Sequence, residues 1–237
     1  MVPPSLFVLT GAGLSAESGL GTFRDKDGIW TKFRVEDYAT VEAFERDPLK
    51  VQGFYNARRR NLQDAKPNAA HKALATLQSK WTALGGRVTL CTQNIDDLLE
   101  QAGAGEVIHM HGELKQAWCL ACDCRSSCDE DLTPESECSV CNAVGFLRPD
   151  VVWFGEVPYH MDVIRARLAS AELFVSIGTS GSVYPAAGFV RMARDLGMTT
   201  MEINLEPSDN ADAFTAAAYG PASETVPAWV DAMISAI

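Results

Sequence analysis

Short apolar runs of four to six residues recur along the chain, each closed by a polar or glycine-bearing turn: Leu6–Thr10, Arg87–Thr92, Val107–Met110, Leu173–Ile177 and Thr200–Ile203. Runs this short and this rich in branched side chains read as strands buried on both faces. Apolar positions repeat at helical spacing in Ala69–Leu84, Ile164–Ala169, Ala186–Leu196 and Ala228–Ile237, and a short helix is expected over Asp96–Gln101. Strands alternating with helices predict an α/β fold, a Rossmann-like parallel sheet with helices on both faces. Two stretches break the alternation. Residues 26–66 look helical and irregular, and 115–145 are polar, cysteine-rich and loop-like. The expected organisation is one large domain from 1–25, 67–114 and 146–237, with the two insertions forming a smaller lobe.

The turns that close the strands carry the candidate chemistry. Gly11, Gly13 and Ala16 follow the first run at the Gly-x-Gly-x-x-Ala spacing of a dinucleotide fingerprint. The glycines would let the backbone turn sharply and approach a ligand, and a following helix N-terminus would offer N–H groups to a pyrophosphate. Ser15, Glu17, Ser18, Thr22, Arg24 and Asp25 make this loop more polar than a simple turn needs. An ordinary dehydrogenase would place an acidic residue about 20 positions on, at the end of a second strand. Glu36 and Asp37 are near that spacing but have no strand to sit on.

Thr92-Gln93-Asn94-Ile95-Asp96-Asp97 closes the second run, where ligands of open α/β sheets bind. The same residues also suit a helix N-cap, and the two uses can coexist. His109-Met110-His111-Gly112 closes the third run. A histidine there is a candidate general base, because imidazole titrates near neutrality, and Gly112 would leave room for a ligand. Gly178-Thr179-Ser180-Gly181-Ser182 and Asn204-Leu205-Glu206 close the last two runs. Each alone is an ordinary strand-to-helix turn; with the first loop they assemble one polar sheet edge.

Charge and cysteine usage narrow the function class. The 237 residues carry a net charge of −11 with 47% hydrophobic and 22% charged residues, the balance of a soluble globular protein. An acidic surface argues against a nucleic-acid partner, which needs basic patches. No stretch approaches the ~18 apolar residues of a membrane span, and no secretory signal is visible at the N-terminus. A cytoplasmic location is expected, where disulfides are rare. Six of the seven cysteines lie between Cys119 and Cys141. Cys119-x-x-Cys122 and Cys138-x-x-Cys141, fifteen residues apart, have the spacing of two zinc knuckles. Four thiolates fill a tetrahedron and leave no position for water, so one structural Zn2+ is expected. Cys124 and Cys128 fall outside the paired spacing and are read as non-ligands, and Cys91 as a buried small hydrophobe.

GAGLSAESGLGTFRD, TQNIDDLLEQAG, HMHG, the paired Cys-x-x-Cys, RPDVVWFGE, GTSGSVYPAAG and INLE follow one another in the order found in sirtuins. From about Leu6 to Val230 the chain resembles these NAD-dependent protein-lysine deacylases, most of all the bacterial CobB-like, desuccinylase-type class. The resemblance implies that NAD is a co-substrate held by Gly11, Ala12, Gly13, Ser15, Glu17, Thr22, Phe23, Arg24 and Trp30 of the first loop. Gln93, Asn94, Ile95, Asp96 and His111 would join them, with Gly178, Thr179, Ser180, Asn204, Leu205, Glu206 and Ala222. Phe23 and Arg24 would cover the reacting ribose, and Ile95 and Asp96 would hold the nicotinamide amide. The implied reaction moves the acyl group from lysine to ADP-ribose and releases nicotinamide, with Asn94 and His111 catalytic and His111 taking a ribose hydroxyl proton. Val152, Phe154, Gly155, Glu156 and Val183 would clamp an extended acyl-lysine peptide between the 153–156 turn and a Gly181–Val183 strand edge.

Tyr55 and Arg58 stand three apart and would share one face of a helix, where a phenol and a guanidinium can hold a carboxylate. The alternative is a solvated basic face. In the desuccinylase-type class a Tyr-x-x-Arg at this place reads the distal carboxylate of succinyl- or malonyl-lysine, and Ala39 matches the small residue that widens the acyl pocket. The expectation is therefore removal of succinyl and malonyl groups, with acetyl as a second substrate, by a monomer acting on acylated proteins or peptides. A mono-ADP-ribosyltransferase using the same site is the alternative activity, and a non-catalytic NAD or acyl-lysine sensor is the alternative class.

Overall fold

The computed structural model describes residues 3–22 and 33–236; Phe23, Arg24 and Trp30 lie outside them. All six strands of the main sheet are parallel: β1 (Leu6–Thr10), β2 (Val88–Thr92), β3 (Val107–His109), β7 (Leu173–Ile177), β8 (Thr199–Asn204) and β9 (Ala216–Tyr219). Their spatial order is β3-β2-β1-β7-β8-β9. Strand order reverses direction at β1, so the crevice for a ligand opens beyond its carboxyl end, between the β1 and β7 loops.

Residues along β1 alternate between two cores. Leu6 and Val8 pack with Leu74, Leu77 and Trp81 of α4 (Ala69–Ala83) and Val226 and Val230 of α8 (Ala222–Ser235). Phe7 and Leu9 pack on the other face with Ile164 and Leu168 of α6 (Met161–Ala169) and Phe189 and Val190 of α7 (Phe189–Asp195). Every residue of β1 and β2 is buried, which explains their unbroken apolar pattern.

The insertions build a second layer. Helices α1 (Val35–Tyr38), α2 (Val41–Arg46) and α3 (Pro48–Asp64) share a core with Leu114, Val151 and Trp153. Asp47 accepts from the Lys50 N–H and Pro48 opens α3, an N-terminus written in the sequence. The cysteine-rich stretch is more regular than its composition suggests. β4 (Gly112–Cys119) pairs antiparallel with β5 (Arg125–Ser127) and with β6 (Leu147–Val151). Arg59 of α3 ties this sheet down by donating to the carbonyls of Leu114 and Glu130.

Several expected elements differ. Among the described residues the first loop makes two 3-10 turns, Ala12–Leu14 and Ala16–Ser18, directly after the glycines, where a longer helix is expected. The short helix after β2, α5, covers Leu98–Gln101 and starts two residues later than expected, because the Asp96 carboxylate accepts from the Leu98 N–H and stays in the loop. Gly181–Val183 is not a strand; Gly181 sits at φ 72°, which breaks an extended edge. The last helix begins at Ala222, ahead of Pro227. Pro227 lies inside this helix, which starts six residues before the expected Ala228.

Candidate active site

Three loops meet at the carboxyl edge of β1, β2 and β7, and glycine brings them together. The Gly13 N–H donates to the Gly178 carbonyl at 2.9 Å. A Cβ on Gly13 would stand 2.7 Å from the Gly178 Cα, and one on Gly178 would stand 2.5 Å from the Leu14 nitrogen. The fingerprint glycines thus let two loops of the protein touch each other. Gly112 has a similar reason: at φ 78° a Cβ would overlap the Asp150 carbonyl of β6. It seats the small sheet directly after His111.

Around this edge runs a continuous polar network. The Asn94 amide donates to the Gly11 carbonyl at 3.0 Å and to Ser15 Oγ at 3.1 Å. Ser15 Oγ in turn donates to Asp96 Oδ2 at 2.9 Å and lies 3.3 Å from His71 Nε2. The His71 Nδ1 accepts from the Asn68 N–H, so Nε2 carries the proton and points it at Ser15. Burial pushes His71 down to about 4, against the pull of Glu100, so it is neutral near pH 7. His71 is the member that sequence reasoning missed. Asn68 and His71 form a capping box at the start of α4, a signal of helix geometry that says nothing of what Nε2 meets. Asp96 is raised above the ordinary carboxylate value by burial, although bonds from Leu98 and Ser15 oppose the shift.

His111 Nδ1 lies 3.1 Å from the Gln93 carbonyl. A carbonyl can only accept, so Nδ1 holds the proton and Nε2 keeps its lone pair. Burial lowers its pKa, partly offset by the Gln93 bond. A neutral imidazole with one nitrogen anchored and the other basic is a competent proton acceptor at neutral pH. The His111 carbonyl accepts from the Val152 N–H at 2.9 Å, and the Phe154 N–H donates to the Ala39 carbonyl at 2.9 Å. The 152–156 segment is therefore pinned to His111 on one side and to the Ala39 segment on the other. Glu156 braces the turn from inside: it accepts two bonds from Arg148, at 2.8 and 3.0 Å, and one from the Trp153 N–H at 2.7 Å.

A cavity of about 350 Å³ opens beside the network, walled by Ala12, Ser15, Asn94, Ile95 and Asp96 on one side and by Phe54, Ala57 and Arg58 of α3 on another. Arg58 is half-buried there, and burial lowers its pKa against the charges of Tyr55 and Asp96. Tyr55 is not part of that wall. It is buried, its hydroxyl accepts from Trp153 Nε1 at 3.0 Å, and burial pushes its pKa to about 12. Gln93, Thr179 and Val183 line a smaller hollow next to β7. Asn204 donates to the Thr179 carbonyl at 2.8 Å, joining the last two loops, while Leu205 is 66% exposed. Glu17 points away from the cavity: its carboxylate accepts from the Ser223 N–H and hydroxyl at 2.8 and 2.7 Å, tying the first loop to the start of α8 beside Ala222.

The other cluster is the cysteine set. The Sγ atoms of Cys119, Cys122, Cys138 and Cys141 all lie within 4.8 Å of one another. The Cys119–Cys141 and Cys122–Cys138 sulfurs are each 3.8 Å apart. Four thiolates about 2.3 Å from a tetrahedral zinc hold their sulfurs about 3.8 Å apart, so the set fits zinc with no ligand position left over. Cys124 comes within 3.4 Å of Cys138 but is not one of the mutually close four. Among the described residues no helix is long and apolar enough to cross a membrane.

Residues 11–185 match the model of the Sir2 family. The chain is 57% identical over 230 residues to the NAD-dependent protein deacylase of Caulobacter vibrioides, covering 97% of each chain. It is 53% identical over 239 residues to the protein of that name from Escherichia coli K12, covering 100% of this chain and 85% of the relative. Among solved structures, a Sir2 homologue in complex with NAD superposes with a TM-score of 0.86 at 37% identity, over 98% of this chain and 90% of the other. A Sir2 bound to acetylated peptide superposes with a TM-score of 0.80 at 27% identity, over 96% and 92%. A family match over residues 11–185 and relatives above 50% identity along nearly the whole chain show that the chain belongs to the Sir2 family.

Proposed function

We propose that this chain is an NAD-dependent protein deacylase that strips succinyl and malonyl groups from lysine, with acetyl as a second substrate. Its relatives of 53 to 57% identity are named for NAD-dependent protein deacylation. The observation that carries the reading is the neutral, tethered His111 beside the Asn94–Asp96 wall of the cavity. NAD supplies an electrophilic ribose C1′ with nicotinamide as leaving group. The protein's share is to hold that ribose against Asn94 and Asp96, to admit the acyl oxygen of lysine, and to take a ribose hydroxyl proton on His111 Nε2. The acyl group then leaves on ADP-ribose. The zinc cluster takes no part, having no free coordination position.

Arg58 supports the acyl preference. A guanidinium in the cavity wall is a counter-charge for a carboxylate at the far end of the acyl chain. Tyr55, whose hydroxyl feels the same charge, would complete the pair by turning from Trp153. The peptide backbone would lie along the pinned 152–156 segment. The Arg58→Met variant is expected to lose desuccinylation about ten- to a hundredfold, as for a charged hydrogen bond of roughly 1.5–3 kcal/mol, and to keep deacetylation. Desuccinylation that survives while deacetylation falls would contradict the assignment. Mass spectrometry of the products separates this reading from ADP-ribosyl transfer: O-acyl-ADP-ribose is expected, and ADP-ribosylated protein would contradict it.

A further inference from the structure

Two histidines stand two residues apart at the end of β3, and they grip consecutive carbonyls of one turn. His111 Nδ1 bonds the Gln93 carbonyl at 3.1 Å, and His109 Nδ1 bonds the Asn94 carbonyl at 3.2 Å. They differ in what the other nitrogen meets. His109 Nε2 lies 2.8 Å from Glu100 Oε1 of α5, and the His109 side chain is only 8% exposed. A carbonyl and a carboxylate are both acceptors, so both His109 nitrogens must donate, and an imidazole with two N–H groups is a cation. We propose that His109 is a positioning residue whose imidazolium, bonded to Glu100 and to the Asn94 carbonyl, holds the Gln93–Asp96 turn in shape for NAD and releases it on losing its proton.

The surroundings agree. Asn94 is otherwise held by its own N–H on Thr92 Oγ1 and by its amide on Gly11 and Ser15. A shift of its backbone therefore moves the whole network that ends at Asp96. Among the described residues three carboxylates act on His109: Glu100 from α5, Asp96 from the turn and Glu113 from β4. His71 of α4, beyond Glu100, is the next titratable group. Burial alone would depress His109, but the Glu100 bond and charge, helped by Glu113 and the Asn94 carbonyl, leave it raised above 6.5. His111, with no carboxylate bonded to it among the described residues, is lowered by burial. Two histidines of one tripeptide are thus driven apart, one to serve as base and the other as fixed cation.

The inference rests on the reading that the site splits NAD, and its test separates the two. Kcat and KM for NAD would be measured from about pH 6 to 10 in wild type, Glu100→Gln and His109→Gln, with succinyl-lysine peptide. Ring-nitrogen NMR of His109 in the full chain without NAD gives a second readout. In wild type both His109 nitrogens should be protonated near neutral pH, and activity should fall on the alkaline side as the proton leaves. Glu100→Gln should move that fall to lower pH. His109→Gln should raise KM for NAD about tenfold and remove the fall. A singly protonated His109 at neutral pH, or an alkaline fall unmoved in both variants, overturns the inference. A wild type without turnover at any pH overturns the deacylase reading instead and leaves the NMR result to decide His109.

Discussion

The two clusters of chemistry in this molecule are built on opposite plans. At the edge of the main sheet, unlike groups from distant segments converge on a cavity: Ser15 bonds His71, Asn94 and Asp96, and Ser15, Asn94 and Asp96 still line the open space. In the small sheet, four like groups converge on one another, and their 3.8 Å spacings leave space for an ion and nothing else. The first plan leaves reactive atoms available, while the second uses every one to hold the fold. Placement agrees: Cys119 and Cys138 share a core with Leu132 and Leu147, so the metal stands in for apolar mass that the small sheet lacks.

The largest effect should come from breaking the second plan. Chelation, or Cys138→Ser, should unfold the small sheet, because structural zinc contributes roughly 10–16 kcal/mol of binding free energy. Deacylation should disappear with it, since β4 and β6 carry Gly112 and the 152–156 segment. Near-UV circular dichroism and metal analysis would check this; activity kept in metal-free protein would contradict it. Asn94→Ala attacks the first plan. It should cost about a hundredfold in kcat/KM through a misplaced turn, with a melting shift of only a few degrees, about 2–4 °C per kcal/mol at this size. Equal loss of stability and activity would remove the distinction.

A smaller effect is expected from Ser15→Ala. It leaves Asp96 without its hydroxyl donor, raising Asp96 further, and lowers activity about tenfold for one lost bond to a charged group. The smallest effect is a pH effect. His71 is folded at about 4 against 6.5, so the native state binds fewer protons there than the unfolded chain. The stability this provides is complete above about pH 6.5 and is lost as pH falls towards 4. Acid unfolding followed by fluorescence should therefore be delayed in His71→Asn, and an unchanged acid midpoint would contradict the assignment.

How much of this was legible in the sequence follows from range and period. β1, β2 and β7 were legible because a strand buried on both faces is mostly apolar. β6 hid behind Arg148, Pro149 and Asp150, since a strand whose Arg148 is buried against Trp153 and Glu156 does not look like one. β9 is Ala216–Tyr219 and mostly exposed, so it carries no apolar signal. The four zinc ligands were legible because each pair is local. Ser15 and His71 are 56 residues apart, and no spacing rule links them. The fingerprint glycines were legible from their spacing, but their close approach to Gly178, far along the chain, was not.

The central claim is that the cavity edge breaks NAD with His111 as base. Nicotinamide release from NAD, dependent on succinyl-lysine peptide, tests it most directly in wild type and His111→Tyr, with NAD binding measured in parallel. The account predicts peptide-dependent release in wild type and a loss of about 10²–10⁴-fold in the variant with NAD still bound. Undiminished release in His111→Tyr would contradict it.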